Sequence, residues 1–251
     1  MLEQNFLPLR EQFDDGFGSV ADGFRDAAKV LNGAENQNGF GLSFTKLPIY
    51  FLNRHAIELF LKGIIVILHR RFHPGYPSSG LDSNPTIASG TKQKQLYHVH
   101  DLRLLYDTFT SQITSNAAAI RASAMSEASA MSDWTAIPAE LDEWITQIND
   151  ADSRSTMFRY PVSADSQLDM EKSSFKQAAP TDVAAAMADE TIPPQFVLAV
   201  KNDDNETVDT YVHDRDPLSN VADALQQCAD LLSGTHYGLM ADLVFKLGHA
   251  R

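Results

Sequence analysis

Within the apolar run from Pro48 to Phe72, Arg54, Glu58 and Lys62 follow one another at four-residue spacing, and His69 lies about two turns further on. On a helix that spacing puts all four along one stripe. With His55 beside Arg54, the stripe holds the parts needed to grip a phosphate and move a proton: a guanidinium, an imidazole and a carboxylate. The same residues also suit a plainer role. Charges on a helix that is otherwise apolar all round need partners, and Arg54–Glu58 and Glu58–Lys62 can pair with each other.

A second cluster, Tyr97-His98-Val99-His100-Asp101-Leu102, falls where a loop enters a helix. His98 and His100 flank one residue, a spacing that can chelate a metal on extended backbone, but no further His follows to complete a hydrolytic zinc centre. Asp101 or His100 can instead cap the helix. A third cluster, Asp152-Ser153-Arg154-Ser155-Thr156-Met157-Phe158-Arg159-Tyr160-Pro161, makes a rigid corner. There an arginine can reach back to Glu58 or Asp152, or bind an anion. His213-Asp214-Arg215-Asp216 is explained by Asp216 capping the next helix, and Cys228 sits on an apolar stripe as a core residue. Glycine-rich phosphate loops, nucleophile elbows and dinucleotide fingerprints are absent from the sequence.

The elements that must carry these residues read as mainly α. Apolar residues from Phe13 to Leu31 recur every three or four positions, a helix whose C-terminal stop is Gly33. The spacing predicts a central helix over Pro48–Phe72, and further helices over His100–Ile113, Ser115–Met131 and Pro138–Ile148. A last helix follows Asp216 and Pro217. Residues 73–95 carry three Pro, three Gly and many Ser, and read as a long mobile loop. Residues 163–212 read as an irregular insertion or small subdomain. Within it, Gln195–Val200 and Thr207–Val212 flank Asn202-Asp203-Asp204-Asn205 as a small β-hairpin.

The chain has 251 residues, 43% of them hydrophobic and 21% charged, which fits one globular domain spanning 1–251. It contains a single cysteine, so an intrachain disulfide and a cysteine-based zinc site are excluded and a reducing cytoplasm is the expected location. The first six residues lack a basic region and an apolar run, and no stretch is long and apolar enough for a membrane span. Net charge is −13, unevenly spread: residues 1–100 hold ten Lys/Arg against nine Asp/Glu, and residues 101–251 hold ten against twenty-four. The acidic second half disfavours broad binding to nucleic acid and leaves room for a local basic cleft in the first.

Taken together, the segments Leu52–Lys62, His100-Asp101-Leu102 and Phe158-Arg159-Tyr160-Pro161 resemble those of HEPN-like helical proteins of prokaryotes, over roughly residues 45–161. The resemblance implies a dimerising helical bundle working without metal or cofactor in a defence or toxin–antitoxin system. Its members include metal-independent ribonucleases and noncatalytic companions of nucleotidyltransferases, so RNA, a nucleotide or a partner protein such as an antitoxin is the expected ligand. Carried onto this chain, His55 or His100 would be the general acid/base and Arg54 or Arg159 the phosphate clamp. Glu58, Lys62, His69, His98, Asp101 and Tyr160 would form the surrounding face. Active members carry Arg, four to six residues, then His. No arginine here is so followed; the nearest pairs are Lys62…His69, Lys92…His98 and Lys94…His100. Lysine supplies the charge without the two-pronged grip.

Overall fold

The computed structural model describes residues 7–38, 46–72, 74, 85–123, 133–153, 155–160, 162, 166–188, 196–214 and 217–245. Among these, helices α1 (Phe17–Asn38), α2 (Lys46–Phe72), α3 (Leu102–Ser123), α4 (Ala139–Asp152) and α7 (Ser219–Leu239) build the main body. A 3-10 turn precedes α1 at Leu9–Glu11, and a π-helical turn, Met240–Val244, continues α7. The 27 residues of α2 span about 40 Å. Its apolar side chains point in every direction, so it has to be enclosed. α1, α3 and α7 pack directly on it, while α4 bridges α3 and α7. Ile57, Phe60, Leu61, Ile64, Ile65, Val66 and Ile67 are fully buried along it.

Enclosure of α2 is what forces its charges inward. Arg54, Glu58, Lys62 and Arg70 are all 3% exposed or less. Gly63 gives α1 its approach: a methyl group there would stand 3.3 Å from Asp14, Phe17 and His236 atoms at once. Among the described residues no helix is long and apolar enough to cross a membrane.

Between α2 and α3 the structure corrects the loop expectation. Strands β1 (Thr86–Ser89) and β2 (Lys92–Gln95) form an antiparallel hairpin, turned at Gly90 with φ +61°. Ile87 and Leu96 anchor it to the core, and a 3-10 turn at Leu96–His98 leads on towards α3. Residues 73 and 75–84 of the expected loop lie outside the described residues.

The expected hairpin near 195–212 is present as β4 (Val197–Lys201) and β5 (Thr207–His213). It belongs to a larger unit. A further strand, β3 (Phe175–Ala178), completes an antiparallel sheet in the order β3-β5-β4. Two short helices, α5 (Ser166–Lys172) and α6 (Pro180–Ala188), flank β3 in sequence, so the region read as irregular contains regular elements. The helix expected over Ser115–Met131 is the second half of α3; residues 124–132, and Asp216 as a cap for α7, lie outside the described residues.

Candidate functional site

Arg54, Glu58 and Lys62 do form one stripe on α2, and the stripe meets two other parts of the chain. Arg54 Nη1 donates to Glu58 Oε2 at 3.0 Å, and Lys62 Nζ donates to Glu58 Oε1 at 2.8 Å. Arg54 Nη2 donates to the His100 carbonyl at 2.8 Å, and Lys62 Nζ reaches the Tyr97 carbonyl at 3.4 Å. Arg54 Nε stands 3.1 Å from Asp152 Oδ2, an ion pair whose N–H points off the line to the oxygen. Arg54 and Glu58 are each 1% exposed, Lys62 3% and Asp152 4%. Two cations and two carboxylates thus compensate each other inside the protein.

Burial alone would raise the Glu58 carboxyl. The Lys62 ammonium, its hydrogen bond, the Arg54 charge and the His100 hydrogen bond outweigh that and hold it at about 2. Glu58 is therefore an anion at every physiological pH.

The cluster fixes backbone on both sides. Towards α3 it holds the carbonyls of Tyr97 and His100. Towards the end of α4, Asp152 Oδ1 accepts from Thr156 N at 2.7 Å and Met157 N at 3.0 Å and shapes the corner. The sequence alone suggests that one of the corner's own arginines pins it. The structure gives the task to Asp152, paired with Arg54 from α2, and Arg154 lies outside the described residues.

His100 is the one member of the cluster that reaches solvent. Its Nδ1 lies 2.9 Å from Glu58 Oε1, while 56% of its side chain is exposed. A buried carboxylate beside Nδ1 orients the ring and leaves Nε2 as the nitrogen that Glu58 does not engage. Asp101 acts as a cap, its Oδ1 accepting from Leu104 N at 3.0 Å.

His55 occupies the flank of α2 next to the stripe. It stacks on Phe51 at 5.7 Å and meets the edge of Phe24 at 4.6 Å. Burial pushes its imidazole below the ordinary value; Glu58 opposes this, and Lys62, Arg159 and Arg54 reinforce it. Its buried Nδ1 has no hydrogen-bond partner among the described residues. Arg159 lies over the other aromatic of this group, 5.5 Å from the Phe51 ring centre, and its Nη2 is 3.4 Å from Ser155 Oγ. Arg159 and Tyr160 are exposed, as is His98, whereas His69 is half-buried near the end of α2. Apart from His69 and the cap Asp101, the expected residues divide into a buried core of Arg54, Glu58 and Lys62 and a rim of half-buried His55 with exposed His98, His100, Arg159 and Tyr160.

A second buried network was not anticipated. At the start of α1, Asp14 accepts from Gly18 N at 2.7 Å and Gly16 N at 3.1 Å, and lies 2.8 Å from His236 Nε2 of α7. Burial raises the Asp14 carboxyl, but His236 and the two backbone donors bring it below its ordinary value. Alongside, Arg70 donates to the Phe13 carbonyl at 2.7 Å and to both oxygens of Asp15. Asp14-Asp15-Gly16 ahead of a helical periodicity is a capping signal, but its partners lie 55 and 222 residues away. An open apolar cleft of about 240 Å³ beside Trp134 is lined by none of the candidate residues. The described residues contain no group of three or more His, Cys, Asp or Glu able to hold a metal ion.

No family model, curated protein or solved structure matches the chain.

Proposed function

We propose that the chain is a HEPN-like helical protein of a prokaryotic defence or toxin–antitoxin system that binds RNA noncatalytically through its exposed rim, as a cytoplasmic homodimer. In this reading the Arg54–Glu58–Lys62–Asp152 cluster is an internal clamp that sets the shape of the rim. The observation that carries it is the state of Arg54: 1% exposed, with Nη1 and Nη2 donating to internal acceptors and Nε ion-paired with Asp152. A guanidinium buried this deeply and paired with two carboxylates is not open to a phosphate in solvent.

The test is incubation of the purified protein with total RNA and tRNA in EDTA, read both for complex formation and for cleavage. Binding without cleavage is the expected result. Absence of binding would refute the reading and shift attention to a protein partner such as a nucleotidyltransferase.

One observation favours a second reading, in which the protein is a metal-independent ribonuclease. His100 is solvent-accessible and held by the buried Glu58, the arrangement that suits a general base. Cleavage leaving 2′,3′-cyclic phosphate ends, lost in His100→Ala, would establish it.

A further inference from the structure

Residues 85–100 contain Lys92, Lys94, His98 and His100 and not one carboxylate, in a chain of net charge −13. The structure places this segment on a defined frame. Lys92 and Lys94 sit at alternate positions of β2, on the same side of the hairpin, opposite Ser89 and Ile87 of β1. Same-side positions on a strand are about 6.6 Å apart. That is close to the interval between successive phosphates of an extended polynucleotide. All of β2 is exposed, so both ammonium groups are available.

The frame is tied to the core beside the lysines, since the buried Ile87 is the register partner of Lys94 and shares its face. Ile87, Leu96 and Val99 are 2% exposed or less, and Leu96 N donates to the Pro85 carbonyl at 3.2 Å to close the hairpin. Lys62 and Arg54 hold the carbonyls of Tyr97 and His100. The Tyr97 ring, 40% exposed, stacks on Phe17 at 5.8 Å, and its hydroxyl donates to Asp15, which Arg70 neutralises. Between β2 and His100 the exposed side chains include two lysines, a flat aromatic ring and two imidazoles. That combination, a cationic track with a stacking ring, suits a single strand. A duplex needs a broader positive surface than so acidic a chain provides.

We propose that the β1–β2 hairpin and the Tyr97–His100 segment form a binding strip for a single-stranded polynucleotide, with Lys92 and Lys94 on successive phosphates and Tyr97 as the stacking ring. This rests on the RNA-binding reading above and locates its site outside the α2 stripe.

The test is fluorescence anisotropy with a labelled mixed-sequence single-stranded RNA, its DNA counterpart and labelled poly-glutamate, on the full chain at several salt concentrations. The proteins are the wild type, Lys92→Gln/Lys94→Gln and, as a control away from the strip, Lys201→Gln. The double variant should bind the polynucleotide roughly tenfold more weakly at low salt, with a salt slope shallower by about 1.4, and melt at the wild-type temperature. Lys201→Gln should bind as the wild type does. Equal binding of RNA and DNA would mark the strip as a backbone reader, and preference for RNA would add a contact to the 2′-hydroxyl; both support it. If the double variant bound RNA as tightly as the wild type, the strip would be wrong and the RNA reading would stand. If the wild type bound no polynucleotide, both would fall, and binding of poly-glutamate alone would assign the lysines to an acidic protein partner.

Discussion

Replacing Glu58 by glutamine keeps the shape of the side chain and removes the charge that Arg54 and Lys62 share. Asp152 still compensates Arg54, but the buried Lys62 ammonium loses the carboxylate 2.8 Å away. Breaking a buried ion network by removing one partner costs about 3–5 kcal/mol. A chain of this size loses about 2–4 °C per kcal/mol, so the melting temperature should fall by about 6–20 °C. The pH dependence gives an independent handle. Glu58 titrates at about 2 in the folded protein against 4.5 ordinarily. A depressed folded value means that the unfolded chain takes up the proton first on acidification. The stabilisation is therefore complete above pH 4.5, worth about 3 kcal/mol, and drains away as pH falls towards 2. Urea unfolding of wild type and Glu58→Gln at pH 7, 5, 4 and 3 measures this. The stability gap should be constant down to about pH 5 and then narrow. A variant as stable as the wild type at pH 7, or a gap that does not close in acid, would refute the assignment of Glu58 as the centre of the clamp.

Further outcomes follow from the packing. Gly18→Ala would drive a methyl group into the buried His236 ring at Cε1 and should cost about 1–3 kcal/mol. Gly23→Ala, on the same helix with open space around it, should stabilise by about 0.5–1 kcal/mol, and thermal melts of the pair check both. Arg159→Ala, at an exposed position, should change stability by less than about 0.5 kcal/mol while weakening RNA binding, read by anisotropy. Cys228 is fully buried and its thiol is pushed up by burial, so it should resist a thiol reagent in the native protein and react once urea unfolds the chain.

Much of this arrangement is legible in the residues, where the signal is local. A helix apolar on every side must be central, and α2 is. Four-residue spacing puts Arg54, Glu58 and Lys62 on one stripe, and they pair with one another. Asp101 beside Leu102 reads as a cap and serves as one. Partners set by the tertiary fold carry no such signal. Asp152 is recognisable as part of a corner, but its position against Arg54 depends on α4 packing next to α3. The pairing of Asp14 with His236 joins the first helix to the last. The β1–β2 hairpin escapes notice because Lys92-Gln93-Lys94-Gln95 has no apolar alternation and all four side chains face water. The unit formed by α5, β3 and α6 is equally faint, since Val183 and Lys172 are among its few buried side chains.

In the clamp reading, Arg54 holds the protein together rather than contacting a ligand. The most direct test is the melting temperature of Arg54→Lys, which keeps the positive charge but cannot bond Glu58, Asp152 and the His100 carbonyl together. If the cluster is a clamp, the variant should melt several degrees lower, and amide exchange around residues 97–102 should speed up. An unchanged melting temperature and unchanged exchange, accompanied by loss of RNA binding, would contradict the account and return Arg54 to the binding site.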